Sequence, residues 1–103
     1  MRALDTNVLV RVVMGDDPGQ AVRAAALIRE AAAAGEPLFV ADVVVCELAW
    51  VLRSRHKIPH AGVAGILAAI LQEPNFRFSS LPRLQQALAS YASGRGDFAD
   101  YLI

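Results

Sequence analysis

Met1-Arg2-Ala3-Leu4-Asp5-Thr6-Asn7-Val8-Leu9-Val10 opens the chain, and the reading of this stretch decides the fold. Arg2–Leu4 predicts a strand. A carboxylate follows at once, and then a Thr-Asn pair able to start a helix. Val8–Met14 alone is ambiguous between strand and helix. After an Asp-Thr-Asn turn it predicts a helix, with Thr6 or Asn7 as its cap. Asp5 then stands at the carboxyl edge of a sheet, where open α/β folds bind ligands. A carboxylate buried there without a partner would destabilise the fold. Asp5 therefore raises the question of which positive charge it faces.

Working outward, Gly15-Asp16-Asp17-Pro18 predicts a loop and a new helix start, with Asp17 as cap and Pro18 at the first helical position. The alanine-rich run Gly19–Ala34 has strong helix propensity, and Gly35 is placed to end it. Pro37–Val40 predicts a second strand. Asp42 is expected to cap a helix from Val43 to His56. Three consecutive valines favour a strand, but the spacing of Val44, Leu48, Val51 and Leu52 marks a helical face and decides the matter. Ile58-Pro59 breaks that helix, and His60, read as a cap, opens an apolar helix to Gln72. Asn75–Phe78 predicts a third strand. Ser80 and Pro82 open a helix over Leu81–Ser93, closed by Gly94. Asp97–Ile103 reads as the start of a last helix. The order β-α-α-β-α-α-β-α-α implies parallel strands in an α/β fold, a small sheet flanked by helices in an α/β/α sandwich. No repeat, linker or second domain is visible, so residues 1–103 read as a single domain.

The chain has 103 residues, 55% of them hydrophobic and 19% charged, with mean hydropathy +0.39. That composition excludes disorder and suggests that a partner covers some apolar surface. No apolar run is long enough to span a membrane, and the N-terminus lacks a signal-peptide pattern. A cytoplasmic protein is expected. Cys46 is the sole cysteine, so an internal disulfide and a thiolate metal cluster are both excluded. Ten basic and ten acidic residues balance, which argues against tight non-specific nucleic-acid binding but not against uneven local charge.

Most acids read as caps or solvated side chains, Asp16, Asp17, Asp42, Glu30, Glu36 and Glu73 among them. Asp5, Glu47, Asp97 and Asp100 remain. Glu47 has apolar neighbours on every side, and Val43, Trp50 and Val51, which share its side of the helix, carry no charge. Asp97 and Asp100 lie three apart and share a helical face. Two carboxylates about 4 Å apart repel by roughly 4 kcal/mol at an effective dielectric of about 20. A fold that gathers several needs a divalent cation or must raise their pKa values. Oxygen ligands without a cysteine cluster point to Mg2+ or Mn2+ rather than zinc, and to hydrolysis at a phosphate centre. Taken singly, Asp5 could be a cap or turn residue, Glu47 a solvated helix charge, and Asp97 and Asp100 an N-cap and a first-turn acid at a helix dipole.

Jointly, Leu4-Asp5-Thr6-Asn7-Val8-Leu9, Val-Val-Cys-Glu-Leu around Glu47, and Gly96-Asp97-Phe98-Ala99-Asp100-Tyr101-Leu102-Ile103 resemble the PIN domain. Within it the chain resembles the VapC-type toxins of bacterial toxin–antitoxin pairs. The resemblance covers nearly the whole chain in order and spacing. It implies a metal-dependent ribonuclease, an RNA substrate, a cognate antitoxin and a homodimer, with no membrane. Asp5 matches the first acid of the family pattern, Glu47 the second and Asp100 the third. Asp97 is an extra acid of one subgroup. Asn7 would orient Asp5 by a hydrogen bond, and Thr6 would offer its hydroxyl nearby. The pattern normally continues through another strand and a fourth acid, so the resemblance also implies a domain incomplete at its C-terminus, with its last strand missing.

Trp50 reads as core or dimer packing, or as a platform for RNA bases. Arg53, Arg55, His56 and Lys57 read as solvated charges favouring a helix C-terminus, or as phosphate contacts. Cys46 reads as a small buried hydrophobe. Against the enzyme stands a truncated PIN module that acts by binding an antitoxin or a second copy of itself. Haloacid-dehalogenase-like phosphatases need a second Asp where Asn7 stands. Receiver domains need a distal Lys, and the lone Lys57 lies in the wrong region.

Overall fold

Each of the first two strands hands the chain to a pair of helices that carries it back for the next strand, the connection that parallel pairing requires, and a third helix pair follows the last strand. The computed structural model describes residues 2–15 and 17–102. Its elements are β1 (Arg2–Ala3), α1 (Thr6–Met14), α2 (Pro18–Ala33), β2 (Leu38–Val40), α3 (Asp42–Ser54), α4 (His60–Leu71), β3 (Phe76–Phe78), α5 (Leu81–Ser93) and α6 (Phe98–Leu102). The expected element order stands throughout. Asp16 and Ile103, read from the sequence as loop and helix, lie outside the described residues.

The sheet has the order β1-β2-β3 and is parallel. Arg2 and Ala3 align with Leu38 and Phe39, and Leu38, Phe39 and Val40 with Phe76, Arg77 and Phe78. The Leu4 amide extends the first ladder by donating to the Phe39 carbonyl at 2.8 Å. Leu38 and Val40 on the central strand are fully buried, as are Leu48 and Leu52 of α3, Val63 and Leu67 of α4, and Leu84 of α5. This shared core fixes α3 against the sheet and so fixes what α3 presents at the sheet's carboxyl edge. No helix among the described residues is long and apolar enough to cross a membrane.

Several caps differ from the sequence reading. Asp5, not Thr6 or Asn7, caps α1: its Oδ1 accepts from the Asn7 amide at 2.6 Å and the Val8 amide at 3.4 Å. The helix starts at Thr6, two residues sooner than expected, and the carboxylate is already within reach of its free amides. Asp17 caps α2 as expected, accepting from the Gln20 amide at 3.1 Å. For α3 the cap position falls on Ala41, with no side-chain bond, and Asp42 lies inside the first turn. Asp42 is drawn instead to α5, where Arg83 donates to its Oδ2 at 3.4 Å and to the Leu102 carbonyl at 3.1 Å. His60 is not a cap either; Pro59 holds that position. The His60 ring stacks on Tyr91 at 4.0 Å and its Nε2 donates to the Tyr91 carbonyl at 2.6 Å. Ser80 caps α5, as its sequence position predicts, accepting from the Arg83 amide.

The turn from α5 to α6 is held by one hydroxyl. The Tyr101 oxygen accepts from the Arg95 and Gly96 amides, each at 3.1 Å. Asp100 Oδ2 accepts from the Asp97 amide at 3.0 Å, the backward-reaching half of a capping box.

Candidate active site

The strand-end turn that carries Asp5 and the helix that carries Glu47 form two walls of an open cleft of about 740 Å3. Asp5, Thr6 and Asn7 line it from the first wall and Glu47, Trp50 and Arg55 from the second; Ala99 of α6 contributes an edge. Asp5 and Glu47 are both exposed. The flanks of Glu47 are unusual for a surface, because Val43 is 60% and Trp50 55% exposed. Glu47 thus stands as a single acid on an exposed apolar face.

Asn7 meets Asp5 through its backbone amide. Thr6 is the first residue of α1 and lines the cleft. Asp97 and Asp100 are placed differently from Asp5 and Glu47. Asp97 borders two smaller hollows, one of which shares Cys46, Trp50 and Ala99 with the main cleft, and neither acid lines the main cleft itself. Asp100 turns back on the start of its own helix. The structure therefore brings Asp5 and Glu47 together and leaves Asp97 and Asp100 beside them, joined to the cleft through Ala99.

Arg55 was legible only as part of a basic run, yet it shares the cleft with the two acids. It makes no ion pair with either of them among the described residues. The signal was its position eight residues after Glu47, about two helical turns along the same face. Trp50 is no core residue, because more than half of it is exposed.

The chain matches the PIN domain family model over residues 2–103. It belongs to the PIN domain family. It is also similar to a VapC ribonuclease of Aquifex aeolicus (strain VF5), 28% identical over 102 residues that cover 99% of this chain and 75% of that protein. No solved structure matches it significantly.

The donor chemistry of this PIN domain can be tested against a divalent cation. Among the described residues no three His, Cys, Asp or Glu side chains form a group able to hold a metal. Mg2+, however, is commonly held by only one or two carboxylates, with water and substrate phosphates completing its shell. Asp5 and Glu47 supply that number in one cleft. Asp5 keeps Oδ2 free of the capping bonds, which both fall on Oδ1. In number and donor type the pair fits such an ion.

Cys46 also lines the cleft of this PIN domain. Burial pushes its thiol up, and the Asp42 charge one turn earlier adds to the rise. Raised in the fold, the thiol stabilises the native state below its ordinary range, and that contribution is lost as pH rises through the folded value. Thiolate is the reactive form, so Cys46 is expected to alkylate more slowly than a free thiol at the same mildly alkaline pH. Iodoacetamide labelling of native against urea-unfolded protein measures this, and equal rates would contradict it.

Proposed function

We propose that this PIN domain is a VapC-type toxin of a type II toxin–antitoxin pair, an endoribonuclease that hydrolyses RNA phosphodiester bonds with Mg2+ or Mn2+. The observation carrying this reading is the placing of Asp5 and Glu47, from separate elements, on one open cleft beside Arg55. Asp5 and Glu47 would hold the cation. Asp100 and Asp97 are proposed as the further acids of the site, carried on the segment whose Ala99 edges the cleft. When bound, the ion neutralises phosphate charge and lowers the pKa of its water. Arg55 receives a phosphate oxygen, for which a guanidinium fork is well shaped. The capping amides of Asn7 and Val8 hold the Asp5 carboxylate at a fixed angle to the cleft, and Thr6 adds a hydroxyl to the same wall.

The exposed Val43 and Trp50 on either side of Glu47 suit a protein that covers the cleft. An antitoxin is the proposed partner, and a homodimer would use further exposed apolar surface. A second reading, a catalytically inactive PIN module that binds an antitoxin or itself, draws support from the commitment of Asp100 to its own helix start. RNA cleavage by the purified chain separates the two readings. Cleavage is expected in Mg2+, lost in EDTA and restored by Mn2+. Equal cleavage with and without EDTA would sink the metal-dependent reading. No cleavage under any condition, with tight binding to a protein encoded beside it, would favour the module.

A further inference from the structure

Beyond the C-terminal end of α3 lies a second groove, of about 380 Å3, bordered by Arg53, Lys57, His60, Arg95 and Asp97. Arg53, Lys57 and Arg95 are all exposed. Three permanent cations there meet one carboxylate, on a chain whose overall charge is zero. Lys57 and Arg95 make no side-chain ion pair or hydrogen bond among the described residues, and Arg53 commits one N–H to the Ile58 carbonyl at 3.3 Å. A guanidinium keeps further donors for another acceptor. His60 borders the groove with its Nε2 already spent on the Tyr91 carbonyl.

The backbone at Lys57 supplies an independent observation. Lys57 has φ 56 and is the one non-glycine residue with positive φ among the described residues. That conformation suits Gly or Asn, and a longer side chain there is strained. The strained position carries the only lysine of the chain. The turn that ends α3, closed by the Ile58 amide donating to the Leu52 carbonyl at 3.0 Å, requires that φ and leaves the Lys57 side chain bordering the groove.

The groove is also continuous with the acidic cleft. Trp50 lines the cleft and a small hollow next to it, and Arg53 and Asp97 line both that hollow and the basic groove. From Glu47 to Arg53 the helix rises roughly 9 Å, six residues at about 1.5 Å each.

We propose that Arg53, Lys57 and Arg95 form a backbone-phosphate subsite for RNA, displaced along α3 from the bond to be cut, with Trp50 between the two. This rests on the ribonuclease reading above. The subsite sets where along a single strand the phosphodiester meets Asp5 and Glu47, and it carries no base specificity.

The test is RNA affinity measured apart from cleavage. Fluorescence anisotropy of a labelled single-stranded oligouridylate with the full chain in EDTA gives both Kd and its salt dependence. Lys57→Gly removes the charge and relieves the strained backbone, so its melting temperature is expected to hold or rise. Lys57→Gly combined with Arg95→Ala is expected to lower the slope of log Kd against log salt by about 1.4, about 0.7 for each lost contact on a single strand. An unchanged affinity and slope in a folded double variant overturns the subsite and leaves the ribonuclease reading standing, because cleavage in Mg2+ tests that separately. Weakened binding of polyglutamate with RNA affinity intact overturns it in favour of an acidic protein segment. Absence of any RNA binding by the wild-type chain at low salt overturns the subsite together with the reading beneath it.

Discussion

Asp5→Asn is expected to lower RNA cleavage on the order of 10³-fold while leaving the fold in place. The two effects separate because Asp5 has two tasks. Its Oδ1 closes the free amides of Asn7 and Val8 at the start of α1, and asparagine caps a helix as well as aspartate does. What asparagine cannot supply is the negative charge that a divalent ion needs, and a metal contributes several kcal/mol of charge stabilisation to phosphoryl-type chemistry. About 4 kcal/mol corresponds to the stated loss of rate. Asp5→Ala removes both tasks and is expected to lose about 1 kcal/mol of stability in addition. Single-turnover cleavage and thermal melting of the three proteins make the comparison. If Asp5→Asn melts as wild type and cuts RNA at the wild-type rate, Asp5 is a cap and nothing more.

Gly94→Ala is expected to destabilise the domain by about 3 kcal/mol, the sum of overpacking and a disturbed hydrogen-bonded turn. Backbone conformation is not the reason, since Gly94 has φ −105, which alanine adopts freely. Space is the reason. A Cβ at Gly94 would run into the Tyr101 hydroxyl, and would lie 2.7 Å from the ring carbon bearing it and 2.9 Å from the Ser90 carbonyl oxygen. Tyr101 must then move, and the Arg95 and Gly96 amides lose their acceptor. For a domain of this size each kcal/mol shifts the melting temperature by roughly 4–8 °C. Tyr101→Phe removes the colliding oxygen, so the two changes together are expected to do less harm than the sum of the single changes. Strict additivity in a thermal double-mutant cycle would show that Tyr101 is not the obstacle.

The element order was legible because apolar spacing and the Gly and Pro breaks agree along the whole chain. Spacing rightly overrode the strand propensity of Val43-Val44-Val45, although the buried face is set one residue later than the pattern suggested. Val45, Leu48, Ala49 and Leu52 are buried, while Val43 is exposed. Caps were harder to read. Asp5, Thr6 and Asn7 are all competent, and the choice depends on where the strand releases the chain. Asp42 lies inside the first turn because the helix begins one residue sooner than its pattern suggested, and its Oδ2 meets Arg83, forty-one residues later. The His60–Tyr91 contact spans thirty-one residues and leaves no local pattern. Of the site, the acids were visible as residues that apolar or crowded contexts do not explain. Their partition was not, because a carboxylate on α6 can serve its own helix start as readily as a neighbouring cleft. Arg55 and Lys57 were hidden in a basic run whose members face different hollows.

The position of Trp50 has one more consequence. It is the only tryptophan of the chain, more than half exposed, and it stands where the acidic cleft passes into the basic groove. The indole emission of the unlabelled protein therefore comes from this junction alone. An occupant of either side changes the polarity around a single chromophore, so binding can be followed optically without a dye, a tag or an engineered probe.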